Sequence, residues 1–309
     1  MARALHDPET GYYTRRIQAV GSRGDFTTAP MLSEAPAHAI AAWAAKALRE
    51  TGCWNLIEIG PGEGKLAAAV LKNLPWWMRW RTRLHLVETS LPLAARQREL
   101  LGNKATWHRT MVDALKACDG NAVIFSNELV DAFPVRRFRK TTAGWQELAI
   151  QFDAQKHPFE SLFPPAPLPE SSGFREAHPL GQWIEIHDSY RQYLNAWMPL
   201  WKSGQMLTID YGALAENIYQ RRPNGSIRAY LLQQRLDGAD IYANPGRQDL
   251  TADVNFSDLI RWSQPWTSAQ QLMDFSQFIR DSLQPNQTDQ DLVESIGAGS
   301  AFQVLIQKR

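Results

Sequence analysis

Cysteine is nearly missing from this sequence. Only Cys53 and Cys118 occur among 309 residues, and they form no C-x-x-C pair. That scarcity excludes a disulfide framework and a zinc site built on cysteine pairs, and it predicts a reducing, cytoplasm-like compartment. An excess of either charge is also lacking. Lys plus Arg is 33 and Asp plus Glu is 32, for a net charge of +1. The balance supplies no overall attraction to nucleic acid or to an anionic membrane, so neither is expected as a partner unless a local patch provides one. Long apolar runs are absent too. The first eight residues contain no signal-like apolar stretch, and Ala35 to Leu48 is interrupted by His38 and Lys46, so no signal peptide, transit peptide or transmembrane helix is expected. What is present is an ordinary globular composition, 44% hydrophobic and 21% charged, with 12 tryptophans. The length suits one large domain or a core carrying a substantial insertion.

Residues 1–34 are dense in turn formers and read as loop. A helix is predicted from Ser33, as N-cap, to Glu50, with Gly52 as its stop. Short apolar runs at 54–60, 84–87, 122–125 and 204–210 read as buried strands. They alternate with helical spacing over 65–73 and 91–101, and Phe302 to Ile306 reads as a closing strand. Strands alternating with helices imply β-α-β units and an α/β fold with a mostly parallel sheet. Prolines between Gln155 and Pro179 predict an insertion outside helix and sheet. Ala213 to Asn255 shows no strong apolar period and reads as a second long cover segment.

The most informative stretch is Glu58-Ile59-Gly60-Pro61-Gly62-Glu63-Gly64-Lys65-Leu66, where a strand gives way to a helix. It is not a P-loop, because the glycines alternate and Leu66 follows Lys65. Nor is it the G-x-G-x-x-G dinucleotide fingerprint. Instead it resembles the first motif of class I S-adenosylmethionine-dependent methyltransferases. Glycines let the backbone pass close to a ligand, and an acid at position 58 can compensate a cationic group such as an ammonium. The turn has an ordinary explanation as a tight strand-to-helix connection. Glu88 ends the second strand, where an acid in an open α/β sheet reaches two ribose hydroxyls, although it also suits a cap for the helix beginning near Ser90.

After the fourth strand come Asn127, Glu128 and Asp131. On a helical turn Glu128 and Asp131 share one face, and paired carboxylates can hold a guanidinium. The alternative is helix capping by Asn127 with acids in the first turn. Here the chain resembles a known family. Gly24 to Pro30, Glu58 to Leu66, Leu86 to Ser90, Ser126 to Val135, Ile209 to Gly212 and Pro245 to Ala252 occur in the order found in the MidA-like family. These are class I methyltransferases whose mitochondrial members assemble respiratory complex I and methylate an arginine of one of its subunits.

The resemblance implies a Rossmann-like class I fold with helices on both faces of the sheet. It also implies S-adenosyl-L-methionine as cofactor, S-adenosyl-L-homocysteine as product, and an acceptor protein modified through an arginine nitrogen. Residues 1–50 would form a loop and helix covering the cofactor, and 51–309 the core, with insertions at about 151–182 and 213–255. The expected cofactor residues are Phe26, Thr27, Thr28, Pro30, Glu58, Gly60, Pro61, Gly62, Gly64, Glu88, Thr89, Ser90 and Asn127. Glu128, Asp131 and Asn127 are the expected catalytic group, and no metal is expected. The chain departs from the family at Gln233 and Asp253, where histidine is usual, at Ala29 in place of serine, and at Ile296 to Gly299 in place of a methionine-glycine motif. These departures motivate an alternative: a cofactor-binding assembly protein with little or no catalysis.

Overall fold

The computed structural model describes residues 1–16, 34–155, 157–165, 167–232, 234–282 and 301–309. The chain begins with α1 (Ala2–His6) and a π-helical turn over Tyr12–Arg16, where only loop was expected. Asp7 makes the connection by accepting the Glu9 and Thr10 N–H groups, and Leu5 is fully buried. Next comes α2 (Ala35–Thr51), stopped as expected by Gly52 in a left-handed conformation. Glu34 precedes it, while Ser33, the expected cap, lies outside the described residues.

The predicted alternation follows: β1 (Asn55–Ile59), α3 (Lys65–Asn73), α4 (Trp76–Arg81), β2 (Arg83–Val87), α5 (Leu91–Leu101), β3 (Ala105–His108), α6 (Met111–Ala117) and β4 (Val123–Asn127). Beyond it lie β5 (Arg136–Thr141), β6 (Gly144–Phe152), β7 (Pro158–Phe163), β8 (Trp183–Ile186), α7 (Asp188–Trp197) and β9 (Gln205–Ala213). The remainder is α8 (Ala215–Arg221), β10 (Arg228–Leu231), β11 (Gln234–Leu236), β12 (Asp249–Thr251), β13 (Val254–Asn255), α9 (Phe256–Ser263), β14 (Ala269–Asp274), α10 (Phe275–Ser282) and β15 (Phe302–Lys308).

These elements form two compact units. One comprises Met1–Arg16, Val130–Tyr193 and Gly212–Trp262, and the core unit holds the other described residues. The core unit is built on a sheet of order β14-β15-β9-β4-β1-β2-β3. From β9 to β3 all neighbours are parallel, and β15 enters antiparallel between β14 and β9 as the closing strand. β1, β2 and β4 are almost wholly buried, which is why they read as continuous apolar runs rather than as alternation. Their core cluster joins Ile40, Leu48, Leu56, Leu86, Phe125 and Leu207 to Phe275 and Phe302. Because these strands run parallel, the turns after β1, β2 and β4 share one sheet edge.

The second unit contains an antiparallel sheet, β7-β6-β5-β8, and a smaller one, β11-β10-β12. Two sequence readings are corrected here. The proline-rich stretch is not wholly irregular, since 158–163 forms β7. Pro158 is tolerated because it opens an edge strand, where its missing N–H breaks no ladder. Arg136 to Lys140 lie on β5, which runs between β6 and β8. Its arginines are accommodated by Glu147 and Glu185, and Phe138 between them is fully buried. The stretch 213–255 is not featureless either, but its strands and helix are short enough to leave no period. No helix among the described residues is long and apolar enough to cross a membrane.

Candidate functional site

The turn after β1 is held by backbone geometry that only glycine adopts readily. Gly60, Gly62 and Gly64 have φ of +67°, +54° and +79°. A Cβ on Gly60 would lie 2.6 Å from Leu129 Cδ1, whereas one on Gly62 would meet no atom of the described residues within 4 Å. The middle glycine therefore borders open space. The Gly60 N–H donates to the Val87 carbonyl at 3.1 Å, tying the end of β1 to the end of β2.

Two carboxylates stand beside this turn. Glu58 is 2% exposed and its Oε2 has no hydrogen-bond partner among the described residues. Burial, reinforced by the Glu88 charge, pushes its carboxyl up to about 8. Burial also raises Glu88, against hydrogen bonds to its ionised form. Glu88 Oε1 accepts the Ser90 N–H at 2.7 Å, and the Ser90 hydroxyl accepts the Leu93 N–H at the start of α5. Ser90 is thus the helix cap, with Glu88 supporting it. Thr89 lies exposed between them.

Gln97, which no motif pointed to, joins these parts. Its Nε2 donates to the Gly62 carbonyl at 2.7 Å and to Glu88 Oε2 at 3.1 Å, and its Oε1 accepts from Trp107 Nε1 at 3.0 Å. The amide is fully buried and sets the spacing between the glycine turn and Glu88. At the end of β4, on the other side of β1, Asn127 Oδ1 is a second buried acceptor without a partner among the described residues. A neutralised carboxyl and an amide oxygen, both buried and without a partner among the described residues, are groups that a ligand bringing a cation and donors could satisfy. S-Adenosylmethionine, with its ammonium and two ribose hydroxyls, fits that donor demand.

Comparison with known proteins agrees with this geometry. A family described as "Putative S-adenosyl-L-methionine-dependent methyltransferase" matches residues 39–272. The chain belongs to this methyltransferase family. It is 29% identical over 290 residues to the Drosophila melanogaster protein arginine methyltransferase NDUFAF7 homolog, mitochondrial, covering 83% of this chain and 63% of the relative. It is 28% identical over 314 residues to human protein arginine methyltransferase NDUFAF7, mitochondrial, covering 85% and 64%. The chain therefore spans slightly under two thirds of these curated relatives. A Burkholderia thailandensis protein crystallised with S-adenosyl-homocysteine matches with a TM-score of 0.89 at 26% identity, over 100% of this chain and 86% of that one.

In this chain the segment after β4 differs from the expected helical turn. Residues 128–135 form bends and turns, and Glu128 has a left-handed φ of +50°. The cause is a clamp from β9. The Glu128 N–H donates to the Ile209 carbonyl at 2.9 Å, and the buried Asp210 accepts the Leu129 N–H at 3.1 Å and the Tyr211 N–H at 2.9 Å. Asn127 Nδ2 donates to Glu128 Oε1 at 3.1 Å. Glu128 and Asp131 thus share no helical face.

Asp131 is buried within the second unit, where its Oδ2 accepts from the Thr251 hydroxyl at 2.8 Å. His187, also missed in the sequence, hydrogen-bonds the Asp131 backbone and is pushed down to about 4 by burial, with its Nε2 unpartnered among the described residues. Asp253, one of the departures from the family, binds Arg228 and Arg222. Phe26, Thr27, Thr28, Pro30, Gln233 and residues 296–299 lie outside the described residues.

Proposed function

We propose that this methyltransferase moves the methyl group of S-adenosylmethionine to an arginine nitrogen of an acceptor protein. The observation that carries the cofactor half is the orphaned, buried Glu58 oxygen beside an open glycine turn. In this reading Glu58, Gly60, Pro61, Gly62, Gly64, Glu88, Thr89, Ser90 and Asn127 hold the cofactor. Phe26, Thr27, Thr28 and Pro30 join them on the family resemblance. When bound, the cofactor supplies a methyl activated on a sulfonium. The chain's own task is then positioning and desolvation, which are worth roughly 7–11 kcal/mol in well-oriented reactions.

The acceptor half rests on Glu128. Its backbone is held in an unfavourable conformation by Ile209 and by Asp210, the kind of strain that surrounding structure maintains where a side chain must be aimed. A carboxylate there can accept guanidinium hydrogens and turn the nitrogen toward the methyl, while taking up the positive charge. Asp131 is the second candidate, with less freedom because Thr251 already occupies one oxygen. The relatives' names support a protein arginine as acceptor. The free Cys53 and Cys118 thiols support a reducing compartment, which we take to be the cytoplasm.

The test is Glu128→Gln, which keeps shape but removes the charge. Cofactor affinity should be unchanged, and transfer of labelled methyl to protein from a deletion-strain extract should fall by orders of magnitude, tenfold for each ~1.4 kcal/mol lost. Full transfer by the variant would remove Glu128 from the reaction. Cofactor binding without methylation by wild type would favour the assembly-protein reading.

A further inference from the structure

The other edge of the core sheet carries a feature that methyl transfer does not use. Helix α4 presents Trp80 at 86% exposure and Trp76 at 69%, while Trp77 is 37% exposed. Trp76 and Trp80 are four residues apart and stand on one face of the helix. The other side of α4 is firmly seated. Met78 is fully buried in the core cluster, Trp77 packs edge-on against Trp54 at 5.8 Å, and the Arg81 guanidinium lies 4.4 Å over the Trp54 ring. Large indoles exposed on an anchored helix are unfavourable in water unless something covers them.

The surrounding charge indicates what that is. From Gly64 to Val87 the sequence contains Lys65, Lys72, Arg79, Arg81 and Arg83 and no Asp or Glu. Lys72, Arg79, Arg81 and Arg83 are all exposed. Arg81 and Arg83 also line a cavity of about 490 Å³ beside α4, whose lining includes one acid, Asp119. In a chain with a net charge of only +1, this is a local field of one sign.

We infer that α4 and its flanks form a docking surface for an anionic phospholipid bilayer, with Trp76 and Trp80 at the headgroup–chain boundary and the arginines on lipid phosphates. Indole rings favour that boundary, and juxtaposed Lys and Arg add attraction to anionic lipid. A protein interface would ask for a shaped hydrophobic centre and a rim of both signs. This segment instead offers two projecting rings and cations only. Because α4 leads into the start of β2, the docked face is opposite the sheet edge bearing Gly60 and Glu88, and that edge stays open to an acceptor.

The experiment is co-sedimentation of the full chain with vesicles of phosphatidylcholine alone or with added phosphatidylglycerol, at low and high salt. The chain should sediment with the anionic vesicles, less so at high salt. Trp76→Ala with Trp80→Ala should reduce partitioning about tenfold or more, as should Arg79→Gln with Arg83→Gln. Both double variants should melt with the wild type, since these side chains are exposed. Phe152→Ala, which removes an exposed aromatic on β6, should bind like the wild type. The inference is overturned by undiminished sedimentation of the tryptophan variant, by no preference for anionic vesicles, or by tighter retention on soluble polyglutamate than on vesicles, which would indicate an acidic protein partner.

Discussion

In the core unit, Glu58 is buried and Glu88 half-buried, with no cation paired to either among the described residues, whereas in the second unit Glu147, Glu185 and Asp253 are held by arginines. Arg136 grips Glu147 through two bonds of 2.7 Å, Arg137 holds Glu185 at 2.9 Å, and Arg228 and Arg222 both engage Asp253. The difference separates two uses of the same side chains. A paired acid is complete in the free protein and contributes to keeping one arrangement of its sheet. The unpaired Glu58 is held protonated by burial in the free protein and awaits a ligand's charge.

Three substitutions would sharpen or break that contrast. The largest effect is expected for Arg228→Met, which leaves the buried Asp253 with only the exposed Arg222 as its charge partner. Loss of one partner of a buried pair should cost about 3–5 kcal/mol in denaturant unfolding, with S-adenosylhomocysteine affinity of the folded fraction unchanged. A calorimetric affinity that falls while stability holds would show that the second unit's ion pairs serve the cofactor after all.

Glu58→Gln should act in the opposite sense. Because the folded carboxyl is raised to about 8 from its ordinary 4.5, the native state keeps a proton that the unfolded chain releases. The Glu58 contribution to stability without ligand should therefore be fully present below 4.5 and decline by up to about 1.4 kcal/mol per pH unit as pH rises toward 8. The variant should lack that decline, be the more stable protein above pH 8, and bind S-adenosylhomocysteine more weakly. Thermal melts across this range decide it, and parallel pH profiles would leave Glu58 without the assigned environment.

The smallest change is expected for Glu88→Gln, which keeps an acceptor for the Ser90 N–H but removes the charge. S-Adenosylhomocysteine affinity should drop by about 1.5–3 kcal/mol, the worth of a charge-assisted bond, with a stability change below ~1 kcal/mol. A stability loss without an affinity loss would make Glu88 only a support for the Ser90 cap.

The core unit was legible in the sequence because its strands are buried on both faces and its glycines are forced by backbone angle. Leu56 to Ile59 and Val123 to Ser126 could be read from composition alone. The second unit was not. β5 hides its strand character behind arginines whose partners are distant in sequence, and β7 begins on a proline that only an edge position excuses. Within the site, Glu58 and Glu88 stand at strand ends and follow from topology. Gln97 and Asp210 matter through what they hold in place, Gln97 from the middle of a helix and Asp210 from β9. The left-handed Glu128 arises from that clamp and not from any helix signal.

Gln97 also restricts which sequences can lie near this one. Its Cγ is 3.1 Å from the point where a Cβ on Gly64 would sit, so a larger residue at 64 presses on residue 97 besides having to adopt a left-handed φ of +79°. Shortening residue 97 would remove at once the partners of the Gly62 carbonyl, Glu88 Oε2 and Trp107 Nε1. Either change made first damages the turn, and a variant library that alters one position at a time should recover neither. Only libraries that randomise 64 and 97 together, with 88 and 107 free to adjust, would reveal whether another solution to this turn exists.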